Sequence, residues 1–86
     1  MPKLSEFFGI AIYMYWGDHG PPHFHARYGG EKASIAIADL SVLAGSLPPR
    51  ALGLVVEWAA LHWDEPKVAW RKALNNEPVD PIEPLR

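Results

Sequence analysis

The stretch 23–38, His23-Phe24-His25-Ala26-Arg27-Tyr28-Gly29-Gly30-Glu31-Lys32-Ala33-Ser34-Ile35-Ala36-Ile37-Ala38, decides the fold. Gly29-Gly30 sits between two runs of strand-forming residues. A glycine pair in that position is a strong hairpin signal, because it takes positive φ without a steric penalty. The spacing predicts one strand over 23–28 and a returning strand over 31–38. Successive side chains on a strand point to opposite faces, so His23, His25 and Arg27 share one face and Tyr28 falls on the other. On the returning arm, Ala33, Ile35 and Ile37 share a face.

Upstream of the hairpin, Gly17 to Pro22 reads as a loop. Proline lacks an N–H and fixes φ, so Gly20-Pro21-Pro22 cannot continue a sheet ladder. The run before it, Phe7 to Trp16, is rich in β-branched and aromatic residues. It predicts a strand over 10–15, with Ile10, Ile12 and Met14 on one face and Ala11, Tyr13 and Tyr15 on the other. Residues 1–6 read as a polar lead-in.

Downstream, Asp39-Leu40 turns the chain again, and Ser41 to Ala44 suits a short fourth strand. From Pro48 the period changes. Polar or small residues at Gly53, Glu57, Ala60 and Asp64 leave a broad apolar helix face, including Leu52, Leu54, Val55, Trp58, Ala59 and Leu61. Pro48-Pro49 suits the start of that helix, which should run over 49–62. Pro66 cannot donate to the carbonyl of His62, so a break is expected near 63–65. Asp64 is placed to cap a second helix ending near Leu74. Beyond Asn75-Asn76, proline at every third position predicts an extended tail, with Val79, Ile82 and Leu85 along a groove. The sum is α+β: three to four antiparallel strands, then two helices packed on one face, in a single domain spanning 1–86.

Composition narrows the function classes. Of 86 residues, 49% are hydrophobic and 21% charged, a mix that folds. The absence of cysteine excludes disulfides and thiolate metal sites. No apolar run has the length of a signal peptide or a membrane span, so a cytoplasmic location is expected. A net charge of -2 gives no global attraction to nucleic-acid phosphates, and a nucleic-acid partner stays open.

Several motifs carry a resemblance. They are Phe7-Phe8-Gly9-Ile10, Met14-Tyr15, Asp18-His19 followed by Pro21-Pro22-His23-Phe24-His25, Leu47-Pro48-Pro49-Arg50-Ala51-Leu52, Glu57-Trp58-Ala59 with Leu61-His62, a later Trp, and Ile82-Glu83-Pro84-Leu85. Together they resemble a bacterial family catalogued as domain-of-unknown-function family 4160. The resemblance covers nearly the whole chain. It implies a small bacterial protein whose gene often lies beside another small gene, in an arrangement similar to toxin–antitoxin pairs. The leading expectation is therefore a component of such a pair, acting through a protein partner encoded by the neighbouring gene. The family transfers no catalytic residues. Pro66 stands where a helix-forming residue is common in the family, and Trp63 where a charged residue is common.

Three of the four histidines fall within eight residues, 18–25. Asp18, His19, His23 and His25 could together ligate a divalent transition metal such as zinc, nickel, copper or iron. This makes a histidine-based metal-binding protein the first alternative function. Imidazoles near neutral pH also suit acid–base catalysis. His19, His23, His25 and Arg27 would then form a metal-free endoribonuclease site, with Arg27 and Arg50 on a phosphate. Against both stand two plainer readings. The histidines cap backbone groups and pack on Tyr13, Tyr15 or Trp16, or they form a rigid recognition loop. The sequence leaves open which holds, and with it whether the chain is an enzyme or a homo-oligomer.

Other side chains suggest contacts. Trp16 and Trp63 are candidates for a partner surface. Arg50 places a positive charge in the first turn of a helix, against the dipole, and so calls for Glu57, a tail carboxylate or an external anion as its partner. Trp58 and Trp70 suit the core, and His62 a partly buried position beside Trp58. Lys67, Arg71 and Lys72 read as solvated surface.

Overall fold

The computed structural model describes residues 3–17 and 19–86. Strands β1 (Lys3–Phe7), β2 (Ile10–Tyr13), β3 (His23–Tyr28), β4 (Glu31–Ala36) and β5 (Val42–Gly45) precede helices α1 (Pro49–Leu61) and α2 (Glu65–Leu74). The strands form one antiparallel sheet in the order β1-β2-β3-β4-β5, so each strand pairs with its neighbour in sequence. The fold is α+β as expected, with one strand more than expected.

The extra strand is β1, in the segment read as a polar lead-in. Leu4 and Phe7 both face the core, yet they are three residues apart and should oppose each other on a regular strand. A register shift between Lys3 and Ser5 reconciles them. That bulge hides the alternation by which a strand is recognised. The turn that follows is equally disguised. Phe8 and Gly9 have φ of 49° and 79°, a pair of positive values in a two-residue hairpin, where asparagine usually takes the first place.

The central hairpin follows the Gly29-Gly30 reading, with Tyr28 opposite Glu31, Arg27 opposite Lys32 and His25 opposite Ser34. β4 ends at Ala36 rather than at 38. The Ile37 N–H donates to the Pro22 carbonyl at 3.0 Å, and the Leu40 N–H closes a turn onto Ala36 at 2.8 Å. The strand over 10–15 ends at Tyr13, although Met14 remains buried.

One face of the sheet carries the core. Ile10, Ile12, Phe24, Ala26, Ala33 and Ile35 meet the α1 stripe Ala51, Val55, Trp58 and Ala59, whose spacing of four, three and one is that of a single helix face. Trp58 sits at the centre, 5.7 Å from the rings of both Phe7 and Phe24. Leu61, expected on the buried face, is exposed at the end of α1. The chain breaks at 62–64 as Pro66 requires. Asp64 already has helical dihedrals, and its side chain makes no capping bond, contrary to the expected cap. The tail is extended and docked. Ile82 and Leu85 are buried, the Ile82 N–H donates to the Leu4 carbonyl at 2.7 Å, and the Trp58 indole N–H donates to the Glu83 carbonyl at 2.8 Å. Among the described residues, no helix is long and apolar enough to cross a membrane.

Candidate functional site

Because α1 covers the core face, the other face of the sheet is left with a line of polar and aromatic side chains. Strand register builds it. Tyr13 on β2, His25 on β3 and Ser34 on β4 stand side by side, and next to them Ala11, Arg27 and Lys32. All of these but Ala11, with Tyr15 and Ala44 at the margins, line a cleft of ≈ 360 Å³. The Arg27 guanidinium lies 5.7 Å from the centre of the Tyr13 ring. At that distance the aromatic face attracts the cation. Among the described residues, neither Arg27 nor Lys32 is paired with a carboxylate. The cleft therefore carries two adjacent cations, although the whole chain has a net charge of -2.

The two strand histidines share a face as expected, with ring centres 5.0 Å apart, but they are held differently. His23 is only 8% exposed. Its Nδ1–H donates to the Pro21 carbonyl at 2.7 Å, and its ring lies 5.1 Å from that of Trp70 on α2. A carbonyl oxygen only accepts, so this bond fixes both the tautomer and the orientation of His23. The ring is packed into the protein rather than presented to a ligand. His25 is half-buried, edge-on to Tyr15 at 4.3 Å, and hydrogen-bonded through Nδ1 with the Ser34 hydroxyl at 3.3 Å. A hydroxyl both donates and accepts, so Ser34 satisfies His25 in either tautomer. The Ser34 bond is therefore kept whichever ring nitrogen of His25 carries the hydrogen. The backbone that carries them is anchored on both sides, by the ladder to β2 and β4 and by the Ile37 N–H to Pro22 bond.

His19 is exposed on the loop. Among the described residues, no three His, Asp or Glu side chains are placed to hold a metal ion. Asp18, the remaining member of the expected ligand set, lies outside the described residues. Trp16 and Trp63 are 51% and 49% exposed, and the Lys67 ammonium lies 4.4 Å from the Trp63 ring centre. Arg50 is also exposed. Among the described residues it is bonded neither to Glu57 nor to a tail carboxylate. His62 has its expected place, with its ring 5.8 Å from that of Trp58 and Nδ1–H donating to Glu65 at 2.9 Å.

Sequence reasoning missed Lys32 and Ser34 as parts of the cleft. The signal was present. A two-residue turn at Gly29-Gly30 forces Arg27 opposite Lys32 and His25 opposite Ser34. The pairing of Tyr13 with His25 depends instead on the longer 14–22 connection, whose length fixes no register.

Two comparisons return nothing, since no curated protein and no solved structure matches the chain. A family match covers residues 9–71, which takes in β2 to β5, α1, most of α2 and every residue of the cleft. On that match the chain belongs to the family described as Domain of unknown function (DUF4160).

Proposed function

We propose that the protein binds and cleaves single-stranded RNA without a metal, as the RNA-directed member of a toxin–antitoxin-like pair. The observation that supports this reading is the convergence of His25, Arg27 and Lys32 with the rings of Tyr13 and Tyr15 in one cleft on the open sheet face. Exposed rings on a sheet give bases a stacking surface, and neighbouring cations track the phosphates. Cleavage then needs one group that takes a proton and another that stabilises negative charge. His25 accepts the proton of a ribose 2′-hydroxyl, the 2′-oxygen bonds to phosphorus, and the 5′-oxygen leaves and takes a proton from solvent. Arg27 and Lys32 hold the non-bridging phosphate oxygens as charge builds. His23 acts as a positioning residue, its ring locked beside that of His25.

A labelled single-stranded RNA incubated with the full chain in a chelator tests the proposal. The expected products end in a 2′,3′-cyclic phosphate. Rates should fall by about a hundredfold or more in His25→Ala, a general-base loss. Arg27→Ala should weaken binding and cleavage together. Intact RNA with no retained complex would sink the proposal.

A second reading, contact with a small protein partner, is favoured by Trp16 and Trp63. These two large rings are half-exposed, and such rings are prominent where partners dock. Co-expression with the product of the neighbouring gene tests it. Co-purification that is lost in a Trp16→Ala/Trp63→Ala variant is expected, and a chain that elutes alone would count against it.

A further inference from the structure

On the helix side of the sheet lies a second cleft, of ≈ 370 Å³, lined by Phe8, Tyr28, Pro48, Arg50, Ala51 and Leu54. It is separate from the histidine cleft, because Tyr28 and Arg27 point to opposite faces of β3. Three features that are each unfavourable by themselves meet there. Phe8 takes a positive φ of 49° in a turn where asparagine or glycine would be relaxed. Its ring is also 60% exposed, so burial offers no compensation. Arg50 stands in the first turn of α1, where the helix dipole opposes a positive charge, and no described carboxylate is bonded to it.

Tyr28 completes the aromatic wall. It is 39% exposed, and its ring is packed on the side where Gly9 lacks a side chain, since a Cβ on Gly9 would contact it at 3.6 Å. The cleft thus has two rings, apolar walls from Pro48 and Leu54, a single cation, and no acidic residue in its lining. Backbone strain kept at an exposed aromatic, beside a cation that no described carboxylate pairs, is a pattern found at binding sites rather than in scaffolds. We propose that this cleft binds a small carboxylic acid with an apolar body, the carboxylate on Arg50 and the apolar part between Phe8 and Tyr28. Its volume is in the range of small-molecule sites, which favours a free acid over a segment of protein.

Titration of the ¹⁵N-labelled full chain with 4-phenylbutyrate tests the proposal, with 4-phenylbutyramide as the uncharged control. Saturable shifts should cluster at Phe8, Gly9, Tyr28 and Arg50. The amide should bind about tenfold more weakly or worse, and so should Arg50→Ala with the acid, each having lost a charge-assisted hydrogen bond. Equal binding of acid and amide, undiminished binding by Arg50→Ala, or no saturable shift at millimolar acid would overturn it. Phe8→Asn separates ligand contact from structure. It relaxes the turn, so the thermal midpoint should hold or rise while affinity for the acid falls several-fold. A lowered midpoint with unchanged affinity would assign the ring to the scaffold and overturn its part in the site.

Discussion

His23 and His25 differ by two positions and share a face, yet their hydrogen-bond partners give them different chemistry. A carbonyl holds one in a single tautomer, whereas a hydroxyl bonds Nδ1 of the other in either tautomer. Trp58 shows the same dependence on a single partner. Its ring is wholly buried, and its N–H is satisfied by the Glu83 carbonyl. Trp58→Phe removes the donor, strands a carbonyl and leaves a small void, so it should cost about 2–3 kcal/mol. That is a large share of the roughly 4–13 kcal/mol expected for a chain of this length. Urea unfolding followed by circular dichroism measures it, and a loss below about half a kcal/mol would mean that solvent satisfies the carbonyl. Asp39 has a role that depends on pH. Its carboxylate accepts hydrogen bonds from the Ser41 hydroxyl and the Ser41 N–H, which lower its pKa from the ordinary 3.8. A lowered carboxylate stabilises the fold above its unfolded pKa, and the contribution disappears as pH falls through the folded value. Asp39→Ala should therefore flatten the acid limb of stability below about pH 4. Urea midpoints between about pH 6 and pH 2.5 give that slope, and an unchanged slope would remove Asp39 from the account.

At the scale of elements, Gly45 joins β5 to the rest of the sheet. It has a φ of +75°, and a methyl group there would run into the Lys32 carbonyl oxygen, which itself accepts the Ser46 N–H at 3.1 Å. Gly45→Ala should thus force β5 away from β4, with a loss of about 2 kcal/mol or more. Amide exchange should rise first across Ala33 to Ile35, the β4 residues that pair with β5. The β4–β5 pairing skips Leu43, with Ser34 opposite Ala44 and Ile35 opposite Val42, and unaltered protection there would show that this irregularity absorbs the shift. The sequence reading ended the short fourth strand at Ala44, just before this glycine, but the close approach to Lys32 is a tertiary contact and has no local signature. The same distinction runs through the other elements. The β3–β4 hairpin, the α1 stripe and the break before Pro66 were legible, because turn chemistry and helical period act over a few neighbouring residues. β1 was not, since its bulge defeats parity and Phe8 occupies a place that normally announces itself with asparagine. The candidate site was legible in part, with His25 and Arg27 found by alternation. Tyr13 stayed out of that set because β2–β3 register passes through a nine-residue connection, 14–22.

At the scale of the molecule, a chain this small exposes much of its surface, and its core needs covering from every side. Here α1 covers one face of the sheet, and the proline-spaced tail adds Ile82 and Leu85 to the same core. The tail has no regular secondary structure, yet it is tied to both ends of the fold, through Ile82 to Leu4 on β1 and through Glu83 to Trp58 on α1. Its fixed proline dihedrals lower the entropy lost on docking. The β1 edge is closed in the same way. Lys3 and Glu6 are paired on it, a bulge interrupts it, and the Ile82 N–H binds the Leu4 carbonyl. Such features discourage further strand addition. If the tail is part of the cooperative core, Ile82→Ala and Leu85→Ala should each cost about 2–4 kcal/mol and should lower global stability rather than merely free the tail. The two side chains meet one continuous core, so the double variant should fall near the margin of folding for a chain of this length. Urea unfolding read by tryptophan fluorescence and by far-ultraviolet circular dichroism tests this, because a cooperative loss moves both curves together. A fluorescence change that precedes unchanged far-ultraviolet unfolding would instead make the tail a detachable strap over Trp58, and the sheet with its two helices a unit that stands without it.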